Sequence, residues 1–123
     1  MQEKIILKIS AIGIKGLLTE AAEKESIILN ELLSNKKKIE DMLQSYYFKS
    51  RGRIFGVKIE KPALKDGFNG VFKVSYSIGH FNACADVDSH EEEKMLITFS
   101  IDTEKGEALL IGEYFPEREP DEI

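Results

Sequence analysis

The 123-residue chain has one cysteine, Cys84, two histidines and no tryptophan. A lone thiol cannot close an internal disulfide, so nothing points to an oxidising compartment. No apolar run approaches the roughly 20 residues that a membrane-spanning helix needs. Lys8 interrupts the apolar opening, and no small-residue cleavage site follows a hydrophobic core of usual length. Met1 to Ile14 therefore does not read as a secretory signal. The glycines form neither a phosphate-cradling loop nor a dinucleotide fingerprint, and no serine occupies a nucleophile elbow. These absences lead us to expect a cytoplasmic, non-enzymatic protein with no cofactor, no bound metal and no membrane association.

What the chain does have is a lopsided charge. Its net charge is −5, yet residues 1–60 carry +3 and residues 61–123 carry −8. Asp86, Asp88, Glu91, Glu92 and Glu93 form one acidic group, and Glu113, Glu117, Glu119, Asp121 and Glu122 form another. A surface of one sign speeds encounter with a partner of the other sign and repels nucleic acid. The plainer account is solubility: a charged turn and a charged tail.

Hydrophobic periodicity gives the architecture. Glu3 to Ile12 reads as a strand, with Ile5, Leu7 and Ile9 on one face and Gly13 and Gly16 as punctuation. Thr19 is a candidate helix N-cap, followed by Glu20 and Glu23 at the positive end of the dipole. An apolar stripe runs through Ala21, Ala22, Ile28, Leu29, Leu32 and Leu33, and Ser34-Asn35 breaks it. A second stripe follows at Ile39, Met42, Leu43, Tyr46 and Tyr47. One kinked helix or two would fit, and two is preferred. After Gly52 the period becomes two. Phe55, Val57 and Ile59 share a face, and Pro62 with Lys65-Asp66-Gly67 ends that strand. Phe72, Val74, Tyr76 and Ile78 alternate next, with Gly79 a candidate bulge before Phe81, Ala83, Ala85 and Val87. Met95, Ile97, Phe99 and Ile101 make a further strand. Asp102 to Gly106 reads as a hairpin loop, Glu107 to Phe115 as the closing strand, and 117–123 as a frayed acidic tail. Short turns between successive strands imply an antiparallel sheet. The expected fold is one α+β domain over residues 1–123. Five to six strands are covered on one face by one or two N-terminal helices, in the order β-α-α-β-β-β-β.

Candidate chemistry is thin. Asp86-Val87-Asp88-Ser89-His90-Glu91 has alternating carboxylates, but a calcium loop needs glycine where Glu91 stands and a carboxylate where Ile97 stands. His90 has no second histidine or cysteine at ligand spacing nearby. His80 and Cys84 would share a face of a strand, yet residues i and i+4 are roughly 13 Å apart there, too far for a nucleophile and its base. Lys36-Lys37-Lys38 and Lys49 to Arg53 flank Tyr46, Tyr47 and Phe48, a pattern of single-strand nucleic-acid binders. The tyrosines fall on the apolar stripe of a helix, so core packing accounts for them better. Phe72, Tyr76, Phe81, Phe99 and Tyr114 could line a small-molecule pocket, or simply be core.

The run from Leu18-Thr19-Glu20-Ala21-Ala22 through Asn30-Glu31-Leu32-Leu33-Ser34-Asn35 to Tyr46-Tyr47 resembles small bacterial domains of a particular pattern. They begin with a strand and continue with a helix ending in Leu-Leu-x-Asn. A second helix then ends in a double tyrosine, and strands follow. Several belong to the immunity proteins of polymorphic-toxin and contact-dependent inhibition systems. The resemblance covers roughly Leu18 to Phe48 and fixes no functional residue. It implies an immunity protein that neutralises a cognate toxin domain; a phage-encoded inhibitor of a host defence protein would carry the same acidic surface and is the alternative. The expected partner is a basic protein, and the candidate contact residues are Asp86, Asp88, Glu91, Glu92, Glu93, Glu117, Glu119 and Asp121.

Overall fold

Alternating apolar residues in the second half of the chain build one curled antiparallel sheet, and the apolar stripes of the first half cover it. The computed structural model describes residues 1–19, 23–48, 52–82 and 87–115, with backbone alone at 80–82 and 87–90. The elements are β1 (Lys4–Lys8), α1 (Ala11–Leu17), α2 (Lys24–Ser34), α3 (Lys36–Tyr46), β2 (Arg53–Ile59), β3 (Ala63–Asp66), β4 (Asn69–Asn82), β5 (Val87–Asp102) and β6 (Glu107–Ile111). The fold is α+β, as the sequence pattern implies, with six strands in the order β1-β6-β5-β4-β2. β3 also pairs with β4, beyond the end of β2.

Three described helices replace the expected one or two. β1 stops at Lys8, and Ser10 caps α1 by accepting a hydrogen bond from the Gly13 N–H at 3.0 Å. Gly13 and Gly16, weak helix formers on propensity, act here as contact surface. A methyl group on Gly13 would lie 2.8 Å from Cδ of Glu31, and one on Gly16 would lie 2.9 Å from Cδ1 of Ile27. Glu31 of α2 completes the junction, its carboxylate accepting from the Ser10 N–H at 2.7 Å and the Ser10 hydroxyl at 2.9 Å. Thr19 is not the cap of the next helix. Its hydroxyl donates back to the Lys15 carbonyl, and Glu23 takes the cap position of α2. The expected break at Asn35 is present, separating α2 from α3. The Asn35 side-chain amide donates to the Glu31 carbonyl at 2.9 Å, which satisfies one of the open carbonyls at the end of α2.

The helices bury Leu17, Ile28, Leu32, Ile39, Met42, Leu43 and Tyr46 against one face of the sheet. From the sheet come Leu7, Val57, Phe72, Val74, Tyr76, Ile78, Met95, Ile97, Phe99, Ile101, Ala108 and Leu110. Each large aliphatic side chain so buried contributes roughly 1.5–3 kcal/mol. Leu33 lies outside the stripe, at 47% exposure.

Two strand expectations change. Phe55 does not share a face with Val57 and Ile59. The bulge is at Gly56, not Gly79: the register shifts between Phe55 and Lys58, and Gly56 takes φ +63°, where glycine has no Cβ penalty. Ile54, Val57 and Ile59 therefore turn inward, while Phe55 is half exposed. β3 is the second change. Gly67 and Phe68 make a tight turn with Gly67 at φ +57°, so the segment after Pro62 pairs with β4 instead of looping. The loop from Asp102 to Gly106 forms as expected, with Asp102 Oδ1 accepting from the N–H groups of Glu104 and Lys105 and Gly106 at φ +66°.

Candidate functional site

β4 and β5 form a ladder that outruns its neighbours. They pair from Asn69↔Ser100 to Asn82↔Val87, whereas β6 accompanies β5 only from Thr98 to Asp102. The acidic group lies in the uncovered part. Glu91, Glu92 and Glu93 belong to the strand β5 rather than to a turn, opposite Ile78, Ser77 and Tyr76 respectively. All three are exposed. Strand alternation puts Glu91 and Glu93 on the face that holds Met95 and Ile97, and Glu92 on the outer face with Lys94 and Leu96. Asp88 pairs with Phe81 in the same ladder, at backbone level. Asp86, Glu117, Glu119 and Asp121 lie outside the described residues, as do Cys84 and the tail from 117; the His80 and His90 side chains are likewise not described.

At this end of the sheet Tyr46 and Tyr47, from the end of α3, meet Tyr76 of β4, the ladder partner of Glu93. The Tyr46 hydroxyl accepts from the Glu3 N–H at 2.9 Å and donates to the Glu113 carbonyl at 2.8 Å. It bridges two backbone groups where the chain after β6 departs from β5. Gly112 makes room for it, since a methyl there would be 2.3 Å from the hydroxyl oxygen. The Tyr47 and Tyr76 hydroxyls are 2.7 Å apart and share a hydrogen bond. The Phe115 ring lies 4.8 Å from Tyr46 and 6.3 Å from Tyr47, centroid to centroid. Burial pushes the Tyr76 hydroxyl far above the usual tyrosine range, reinforced by its bond to Tyr47 and by Glu93 and Glu113. Burial likewise raises Tyr47, offset in part by that bond, with Glu93, Glu113 and Glu91 adding to the rise. Tyr46 is raised chiefly by burial.

Glu113 is the residue that sequence reasoning counted as charge but did not place. Its Oε2 accepts from the Leu96 N–H at 2.9 Å. The hairpin register already held the signal. Thr98 faces Ile111, so two further steps put Glu113 opposite Leu96. There its side chain substitutes for the strand that has turned away. Glu93 pairs with Tyr76 in the ladder, the Tyr76 hydroxyl meets that of Tyr47, and the Glu113 carboxylate reaches Leu96, so carboxylates and tyrosines share this end of the sheet.

The other candidate chemistry does not assemble. Among the described residues no group of three histidine, cysteine or carboxylate side chains could hold a metal ion. The proposed pocket lining is dispersed. Phe72 and Phe99 are buried core neighbours 6.2 Å apart, Tyr76 is tied to Tyr47, and Tyr114 is 66% exposed. The void between α1, α2 and the sheet measures about 10 Å³, while spaces of about 610 and 820 Å³ are open surface grooves with none of Phe72, Phe99 or Tyr114 in their lining. Small-molecule pockets run to roughly 300–1,000 Å³. The basic run at Lys36–Lys38 opens α3, where Lys37 pairs with Asp41 at 2.8 Å on the surface. Tyr46 is core, which separates the tyrosines from that run. None of the described helices is long and apolar enough to cross a membrane.

Comparison with known proteins finds no matching protein family, no matching curated protein and no matching solved structure.

Proposed function

We propose that this chain is a protein inhibitor, an immunity protein that binds a basic toxin domain through the acidic overhang of β5. The observation that carries this reading is the run of exposed carboxylates Glu91, Glu92 and Glu93 on the part of β5 that β6 does not accompany, with the Glu113 carboxylate reaching the same strand at Leu96. Exposed carboxylates suit lysine and arginine side chains of a partner, which gain charge-assisted hydrogen bonds. A toxin that cleaves nucleic acid has a basic, phosphate-binding cleft, and exposed carboxylates can occupy it where phosphates would lie. The helix resemblance noted in the sequence points the same way. On this reading the protein has no catalytic role, needs no cofactor, acts in the cytoplasm and does not bind nucleic acid.

The test is substitution of Glu91, Glu92 and Glu93 together by lysine. The probe is the product of the gene immediately upstream, expressed as its C-terminal domain. Binding at physiological salt should weaken by about 100-fold or more, mostly through slower association. Unchanged affinity would overturn the acidic docking reading. Phage structural genes in that neighbourhood, with no toxin gene, would favour an inhibitor of host defence instead.

A further inference from the structure

Leu96 turns its N–H away from β4, because that group meets Glu113 Oε2 on the β6 side. Residues two apart in a strand repeat this direction, and in an antiparallel ladder each residue points its N–H and C=O to the same side. Glu92 and Lys94 therefore present both groups to the edge that β6 leaves at Thr98. No described strand lies beside Glu91–Leu96 on that side. The edge at β1 is treated differently. α3 packs beside it, Asn35 donates to the Lys8 carbonyl at 3.4 Å, and Lys4 and Lys8 stand at its two ends. Charged ends and a covering helix are how sheets block an added strand. On β4 the corresponding edge is filled by β2 and then β3.

We propose that the open edge of β5, from Glu91 to Leu96, receives an extended lysine- or arginine-rich segment of the partner protein as an added strand. This rests on the acidic docking reading and states how that docking is made. The incoming strand pairs with the N–H and C=O groups of Glu92 and Lys94, and it displaces the Glu113 carboxylate from the Leu96 N–H. Its side chains then alternate. Those on the inner face stand beside Glu91 and Glu93, with the released Glu113 in reach, and there a cation fits. Those on the outer face stand beside Glu92, Lys94 and Leu96, where small uncharged residues fit. A second copy of this chain is the poorer occupant. Its own β5 would bring a second run of three glutamates to this edge with Lys94 alone to offset them, and like charges across a ladder destabilise it.

The experiment uses the full chain and a seven-residue, end-capped peptide of alternating lysine and threonine. A twin peptide carries N-methyl groups on the backbone nitrogens that would face β5, keeping its charge while losing its donors. The first peptide should slow amide hydrogen exchange at Glu92, Lys94 and Leu96 by tenfold or more, and the twin should bind at least tenfold more weakly. Lys94→Pro removes an outward N–H while sparing the ladder with β4, a position where proline is tolerated. It should weaken the first peptide about tenfold relative to Lys94→Ala, the control for lost charge. Equal binding of the two peptides overturns strand addition while leaving acidic docking intact. Binding of neither also overturns it, and the lysine reversal above then judges acidic docking alone. Slow exchange of the Glu92 and Lys94 amides in the free protein, or dimerisation through them, overturns it as well, since the edge would already be filled.

Discussion

The β4–β5 ladder has two halves with the same backbone pairing and opposite side-chain logic. From Met95 onward its inner face joins apolar residues across the strands, Val74 with Met95 and Phe72 with Ile97, under the helices. One step earlier the pairs become Tyr76 with Glu93 and Ile78 with Glu91. β4 stays apolar through this change, while β5 turns acidic. The first half is built to be buried. The second places carboxylates at the inward positions of β5, where they stay exposed instead of joining the core.

Substitutions should divide along the same line. Phe72→Ala, in the covered half, should cost about 3–5 kcal/mol in denaturant unfolding. Glu93→Ala, in the exposed half, should stay within about 0.5 kcal/mol. Similar losses at both would erase the distinction. Next in size, Tyr46→Phe removes the bridge between the Glu3 N–H and the Glu113 carbonyl, and should cost about 1–2 kcal/mol. Gly112→Ala should be destabilising alone and less so when combined with Tyr46→Phe, because the added methyl then no longer meets the hydroxyl. Independent, additive effects of the two would show that this close approach is not what requires glycine.

Alkaline pH gives a subtler contrast. Tyr46, Tyr47 and Tyr76 ionise above the ordinary value when folded. Unfolded tyrosine loses its proton near pH 10. Above that pH the unfolded state holds fewer protons than the folded one, so stability should fall as pH rises from about 10. Below pH 10 the contribution is fully present. Tyrosine absorbance followed against pH should show these three lagging behind free tyrosine, and Tyr76→Phe should reduce the alkaline loss of stability. The smallest effect belongs to Glu113→Ala. Stability should change by less than about 1 kcal/mol, while the Leu96 amide exchanges faster. Unaltered exchange would mean that the carboxylate does not guard this edge.

Much of this was readable in the residues. The stripe Ile39, Met42, Leu43 and Tyr46 and the alternations in β4 and β5 follow directly from helix and strand periods, and the buried positions match them. α1 was hidden because its stabilisation is tertiary. Two glycines in seven residues depress helix propensity, and only the approach of Ile27 and Glu31 explains them. The acidic cluster was visible as composition, but its place was not. Consecutive glutamates suit a turn by propensity, and here the long pairing with β4 overrides that preference. Helix periodicity marks the tyrosines as core, which holds for Tyr46. The bond between Tyr47 and Tyr76 joins residues 29 apart and needs the fold before it can be seen.

Gly56 has a consequence that reaches beyond packing. It and Val57 together face a single residue of β4, so one residue of β2 is surplus to the count. Remove Gly56 and the remainder, Arg53-Ile54-Phe55-Val57-Lys58-Ile59, alternates without fault, with the same three aliphatic residues directed inward. The glycine is thus a spacer that leaves the pattern untouched and alters only shape, because a bulge bends and twists the strand that carries it. It borders an open groove with Lys58, Ser75, Ser77, Glu92 and Lys94. Deleting it should therefore yield a protein that still folds in the same register but with a straighter flank, a change in contour with almost no change in composition.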